Sequence, residues 1–117
     1  MIESMNSAGS ALYAFQKKMN STANNIANAN TDGYQKSRVS FSEHSSGGVE
    51  AEIDRIQERV TLTGSPEEIS VEASVPSNVD LAEEIPHLMI AKAGYTANLK
   101  TVQTQNEMLG SLLDVMA

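Results

Sequence analysis

Residues 81–116 read LAEEIPHLMIAKAGYTANLKTVQTQNEMLGSLLDVM, and this stretch decides the fold. Leu81, Leu88, Tyr95, Val102, Leu109 and Met116 recur every seven residues along its whole length. A second row, Ile85, Lys92, Leu99, Asn106 and Leu113, is half apolar. A seven-residue spacing held this long is the signature of a long amphipathic helix. At 1.5 Å per residue such a helix reaches about 52 Å. A compact chain of 117 residues is expected to have a radius of gyration of only about 13–14 Å. The helix therefore either projects or packs along other chains.

Asp80 is placed to cap this helix, and Glu83 three residues on offers the second half of a capping box. Pro86 interrupts that reading: beyond the first turn it lacks a donor and crowds the carbonyl of Ala82. The sequence predicts either a kink at Pro86 or a helix whose regular part begins near it. Asn98, Gln103, Gln105 and Asn106 lie on or near faces suited to partners, where amides either fix register and orientation or simply face water.

Upstream, Met5, Leu12, Met19 and Ile26 repeat every seven residues beside a row of Ala8, Phe15, Thr22 and Ala29. They predict a second amphipathic helix of about 24 residues. Gly9 and the Asn-rich run from Asn20 to Asn30 are poor helix formers, so this helix needs a partner face. Thr31-Asp32-Gly33-Tyr34 reads as a turn with Gly33 at positive φ. Two stripes on one chain are natural mutual partners.

Between the helices the period changes to two. Val39/Phe41, Val49/Ala51/Ile53 and Ile69/Val71/Ala73/Val75 alternate as strands do, and Val60 with Leu62 offers another. Ser45-Ser46-Gly47-Gly48 and Gly64-Ser65-Pro66 punctuate the runs. Asp54–Arg59 fits either strand or a helical turn. The resulting organisation is a helical segment over 1–34, a short β-rich segment over 35–76 and a long helix over 77–117. The fold class is mainly α with a small β insert.

Composition removes whole classes of function. There are no cysteines and no tryptophans, and aromatics make up 4% of the chain. Disulfides, thiolate zinc sites and cysteine catalysis are thereby excluded. The formal net charge is -7, falling mostly on residues 39–80, and argues against nucleic-acid binding. Lys17, Lys18, Lys36 and Arg38 read as a small basic patch for acidic neighbours. No 18-residue apolar run is present to span a bilayer, and residues 1–14 show no basic and apolar leader pattern. His44 and His87 have no ligand spacing, and no serine or glycine motif supports catalysis or phosphate binding. No enzyme activity, cofactor, metal or small-molecule substrate is expected.

The two ends also carry motifs. The run from Ala11 to Tyr34 contains Ala23-Asn24-Asn25-Ile26-Ala27-Asn28-Ala29-Asn30-Thr31-Asp32-Gly33-Tyr34. It resembles the N-terminal A-N-N-I-A-N-x-N-T-x-G-Y signature of bacterial flagellar basal-body rod and hook proteins. Asn78-Val79-Asp80 with Ala91-Lys92-Ala93-Gly94-Tyr95-Thr96-Ala97-Asn98 resembles the family's N-V-D and A-x-x-x-Y-x-A-N signature at the other end. The resemblance covers residues 5–41 and 75–117. Four positions depart from it: Ile85, since the family's Glu-Met pair reads Glu84-Ile85 here, Pro86 within the helix that follows, Ser77 between Pro76 and Asn78, and Gly94 before Tyr95.

The short middle segment looks most like that of a proximal rod protein. The resemblance implies a structural subunit of the axial rod in the periplasmic part of the basal body. It implies export by the flagellar type III apparatus without a cleaved signal. It also implies self-association and packing with other rod subunits through the terminal helices, which helps transmit torque to the hook. Read onto this sequence, Leu12, Phe15, Met19 and Ile26 bury the first stripe. Asn24, Asn25, Asn28 and Asn30 make subunit or backbone hydrogen bonds, and Gly33 and Tyr34 set the turn. Leu88, Tyr95, Leu99, Val102 and Leu109 carry the long seam, with Asn98 fixing register. The alternative is an assembly adaptor or export-linked interaction module that does not polymerise.

Overall fold

In the computed structural model the described residues are 2–45, 47–57 and 75–116. Helix α1 spans Ile2–Ala27, strands β1 and β2 span Ser37–Glu43 and Val49–Arg55, and helix α2 spans Leu81–Met116. The two helices pack together, and the strands form an antiparallel hairpin on α1. The chain is mainly α with a small β insert, as the two periodicities predict. It is long and thin, 84 × 27 × 15 Å with a radius of gyration of 21.3 Å. That is well above the value of about 13–14 Å for a compact chain of this length.

The hairpin places Val39 opposite Ile53 and Phe41 opposite Ala51. With a period of two, Ser37, Val39, Phe41, Ala51 and Ile53 share one face, and Arg38, Ser40, Glu50, Glu52 and Asp54 share the other. A two-stranded hairpin is marginal alone, and α1 supports this one. Lys17 Nζ donates to the Ala51 carbonyl at 3.1 Å, and the Val49 amide donates to Ser10 Oγ at 3.1 Å. The Phe15 ring meets Phe41 edge-on at 5.3 Å. Asp54 and Arg55 lie in β2, so a helical turn does not begin there, and Glu58 and Arg59 fall outside the described residues. Gly47 and Gly48 turn the hairpin, both at positive φ. The strands expected at Val60/Leu62 and at Ile69–Ala73, and the Gly64-Ser65-Pro66 turn, fall outside the described residues.

Asp80 caps α2: its Oδ1 accepts from the Ala82 amide at 2.9 Å, and its carbonyl accepts from Glu84. The expectation of a helix starting near Pro86 is corrected, since α2 begins at Leu81 and runs through Pro86. The cap holds the first turn, and the proline removes a single bond inside an otherwise continuous helix. The capping box is also corrected. Glu83 does not return to Asp80; its Oε2 takes a 3.0 Å bond from Lys36 Nζ instead. At the other turn Gly33 adopts φ 73°, a left-handed conformation costing a non-glycine residue about 1–2 kcal/mol. Its amide donates to the Val75 carbonyl at 2.6 Å, holding the two ends of the insert together.

Candidate assembly surface

Among the described residues the interior holds little large apolar material. Their buried apolar members are Ala8, Ala14, Ala51 and Ala91, and the buried polar ones are Ser21, Thr22, Asn25, Glu84 and Gln105. Small side chains bring α1 and α2 close. At Gly94 a β-carbon would lie 2.5 Å from Phe15 Cζ. The departure at Gly94 thus has a steric reason: the Phe15 ring occupies the space a side chain would need.

α2 therefore has two unlike faces. Glu84, Ala91, Asn98 and Gln105, seven residues apart, are buried or half-buried on its α1 side. The large apolar rows stand beside them. Leu88, Tyr95 and Val102 are half-buried, while Leu81, Ile85, Leu99, Leu109 and Leu113 are exposed, Leu113 by 68%. The expectation that the large residues form the seam is thus refined for the single chain, where α1 takes the small and polar row. Asn98 bonds its own helix, Nδ2 to the Gly94 carbonyl at 2.9 Å. Gln105 Oε1 is buried with no hydrogen-bond donor.

On α1, Leu12, Phe15, Met19 and Ile26 are all half-buried. The Asn run divides by role. Asn24 and Asn30 are exposed. Asn28 closes the helix end, its Nδ2 donating to the Asn24 carbonyl at 2.9 Å and its Oδ1 accepting from Thr31. Asn25 is 1% exposed and acts like a neighbouring strand. Its Nδ2 donates to the Ser37 carbonyl at 2.8 Å and its Oδ1 accepts from the Ser37 amide at 2.9 Å. Tyr34 Oη adds a third bond to Oδ1 at 3.1 Å.

Asn78 performs the matching task from the other end of the chain. Its Oδ1 accepts from the Lys36 amide at 2.7 Å and its Nδ2 donates to the Ile56 carbonyl at 3.0 Å. Two asparagines, one from each terminal motif, thus clamp the open end of the hairpin. Asn78 was not singled out as a site residue from the sequence. Its place in the N-V-D motif was the available signal.

Beside this junction a cleft of about 280 Å³ lies between β1 and α2 over α1, lined by Lys18, Lys36, Arg38, Glu83, Glu84 and His87 among others. Much of the basic patch is used internally. Lys18 lies 5.2 Å from the Phe41 ring centroid, and Lys36 pairs with Glu83. The Lys36 bond and charge hold the Glu83 carboxyl below the usual carboxylate range. No cluster of three or more potential metal ligands occurs among the described residues. No helix among them is long and apolar enough to cross a membrane.

The geometry is that of a part with unfinished surfaces, and comparison with known proteins gives it a family. Residues 5–35 match the flagella basal body rod protein model. Residues 76–115 match the model of the C-terminal region of flagellar basal body rod FlgEFG proteins. No curated protein matches the chain. The two matched stretches cover most of α1 with its turn and the Asn78 segment with nearly all of α2. The chain belongs to the flagellar basal-body rod protein family.

Proposed function

We propose that this chain is a structural subunit of the flagellar rod, most like a proximal rod protein, polymerising through its terminal helices to help transmit torque to the hook. The observation that carries the reading is the inversion of the usual burial pattern. Among the described residues the buried apolar side chains are four alanines, while leucines, isoleucines and methionines of α2 face outward. Fully burying one such side chain stabilises by about 1.5–3 kcal/mol, and this chain alone leaves that gain unrealised. Neighbouring subunits supply the cover, in coiled-coil-like packing along α2. The short insert supports the proximal subtype. Export through the flagellar type III apparatus and a periplasmic rod location belong to the same reading.

Sedimentation across a concentration series tests it. A rod subunit grows into oligomers without a fixed end point, and crosslinkers placed near Asn25 and Tyr95 capture other rod subunits in assembled basal bodies. A plateau at a finite dimer, with no rod neighbour captured, contradicts the reading and leaves a non-polymerising adaptor.

A further inference from the structure

An antiparallel hairpin turns half of its backbone groups away from the ladder, along its two outer edges. The ladder ends fix which half. The Ile56 amide donates to the Lys36 carbonyl and the His44 amide to the Gly48 carbonyl. Even-numbered residues therefore bond across the hairpin, and odd-numbered ones point their amides and carbonyls outward. Side chains of α1 close part of these edges. Asn25 takes both groups of Ser37, Ser10 accepts from the Val49 amide and Lys17 donates to the Ala51 carbonyl. Farther along β2, the backbone groups of Ile53 and Arg55 have no such partner among the described residues.

Ile53 and Arg55 border a cleft of about 620 Å³ between α1 and the inner face of the hairpin. Its lining includes Lys17 and Arg55 and no acidic side chain, on a chain whose net charge is -7. Neither cation is paired with a carboxylate among the described residues. Asn20 and Asn24, one turn apart on α1, are exposed in the same lining and add amide donors. On its outer face β2 presents Glu50, Glu52 and Asp54, all exposed. A strand laid beside β2 thus meets donors on one face and carboxylates on the other.

We propose that the open edge of β2 takes an extended acidic segment of a partner protein as a third strand, with carboxylates at every second position. Main-chain bonds to Ile53 and Arg55 supply the pairing. With a period of two, alternate side chains of the segment enter the cleft, where Lys17, Arg55, Asn20 and Asn24 donate to its carboxylates. The intervening side chains lie beside Glu50, Glu52 and Asp54 and are neutral or basic, because like charges side by side repel. The cleft at β1 lacks this preference, since Glu83 and Glu84 stand in it beside Lys18 and Arg38.

Below the concentration at which copies associate, the full chain is titrated with acetyl-Thr-Glu-Thr-Glu-Thr-Glu-Thr-amide and its amides are followed by NMR. The expected result is saturable shifts at the Ile53 and Arg55 backbone amides, with the Asn20 and Asn24 side-chain amides moving alongside. The isomer Thr-Thr-Glu-Glu-Glu-Thr-Thr, capped in the same way, binds more weakly because its carboxylates fall on both faces. Arg55→Glu, at an exposed position, keeps the helical spectrum and weakens binding about tenfold. Asn20→Asp, also exposed, weakens it in the same direction. Equal binding of the two peptides, shifts centred on Val39 and Phe41, or no shift at millimolar peptide overturns the proposal. Inorganic phosphate that reproduces the shifts overturns the segment and leaves an anion site only. Movement of these amides with chain concentration alone overturns a separate partner in favour of a second copy. The rod-subunit reading stands or falls separately, by the sedimentation series.

Discussion

Replacing Asn25 with alanine removes the group that ties α1 to the hairpin. The side chain is 1% exposed and bonds both backbone groups of Ser37, at 2.8 and 2.9 Å. The losses are unequal. The Ser37 carbonyl keeps a donor in Ser21 Oγ at 3.3 Å, whereas the Ser37 amide loses its acceptor. A donor stranded away from water costs about 1–3 kcal/mol, and each further net hydrogen bond about 0.5–1.5 kcal/mol. Alanine returns up to about 0.7 kcal/mol in helix propensity. The expected net loss is about 2–4 kcal/mol, or roughly 1–2 M in the urea midpoint for a small protein. Urea titration followed by circular dichroism, below the concentration at which copies associate, measures it. Asn24→Ala is the control, because Asn24 is exposed and surface changes usually stay within about 0.5 kcal/mol. Equal midpoints for the two variants would refute the clamp.

Other expectations rest on separate observations. Gly94→Ala sets a helix-propensity gain of about 1 kcal/mol against overpacking of about 1–3 kcal/mol. Because Phe41 braces the Phe15 ring, the clash wins, and Phe15→Leu in the same chain reverses the sign in a double-mutant cycle. Glu83 has a lowered carboxyl pKa through Lys36, so its contribution is present above its unfolded value of about 4.3. That contribution fades as pH falls through the lowered folded value. Glu83→Gln flattens this part of an acid titration of stability, and added salt shrinks the difference. Leu99, 44% exposed, changed to Ser leaves the monomer within about 1 kcal/mol but raises the concentration needed for assembly, measured by sedimentation.

The helices were legible because each carries an apolar residue every seven positions from Met5 to Ile26 and from Leu81 to Met116. Gly33 and Asp80 announced their turn and cap through residue type alone. Which row of α2 meets α1 was not legible. Large apolar residues dominate a periodicity reading, yet the intrachain contact is made by Ala91, Gly94 and polar neighbours because small residues permit close approach. Lys36 and Glu83 lie 47 positions apart, a pairing no local pattern reveals, and it withdrew Glu83 from the capping box. Asn25 shows the same limit. An asparagine run predicts hydrogen bonding, but only the fold separates the member that braces Ser37 from the exposed Asn24 and Asn30.

If this chain is a rod subunit, the outward rows of α2 become interior surface in the assembled rod. Single cysteines at Ile85 and Leu99, in a chain that has none of its own, report it through their maleimide labelling rates in the dilute monomer and in purified basal bodies. Rapid labelling in the monomer and strong protection at both positions after assembly are expected, with Ser40→Cys labelling in the monomer as the exposed reference. Equal labelling at Ile85 and Leu99 in the two states, in basal bodies shown to contain the chain, would contradict it.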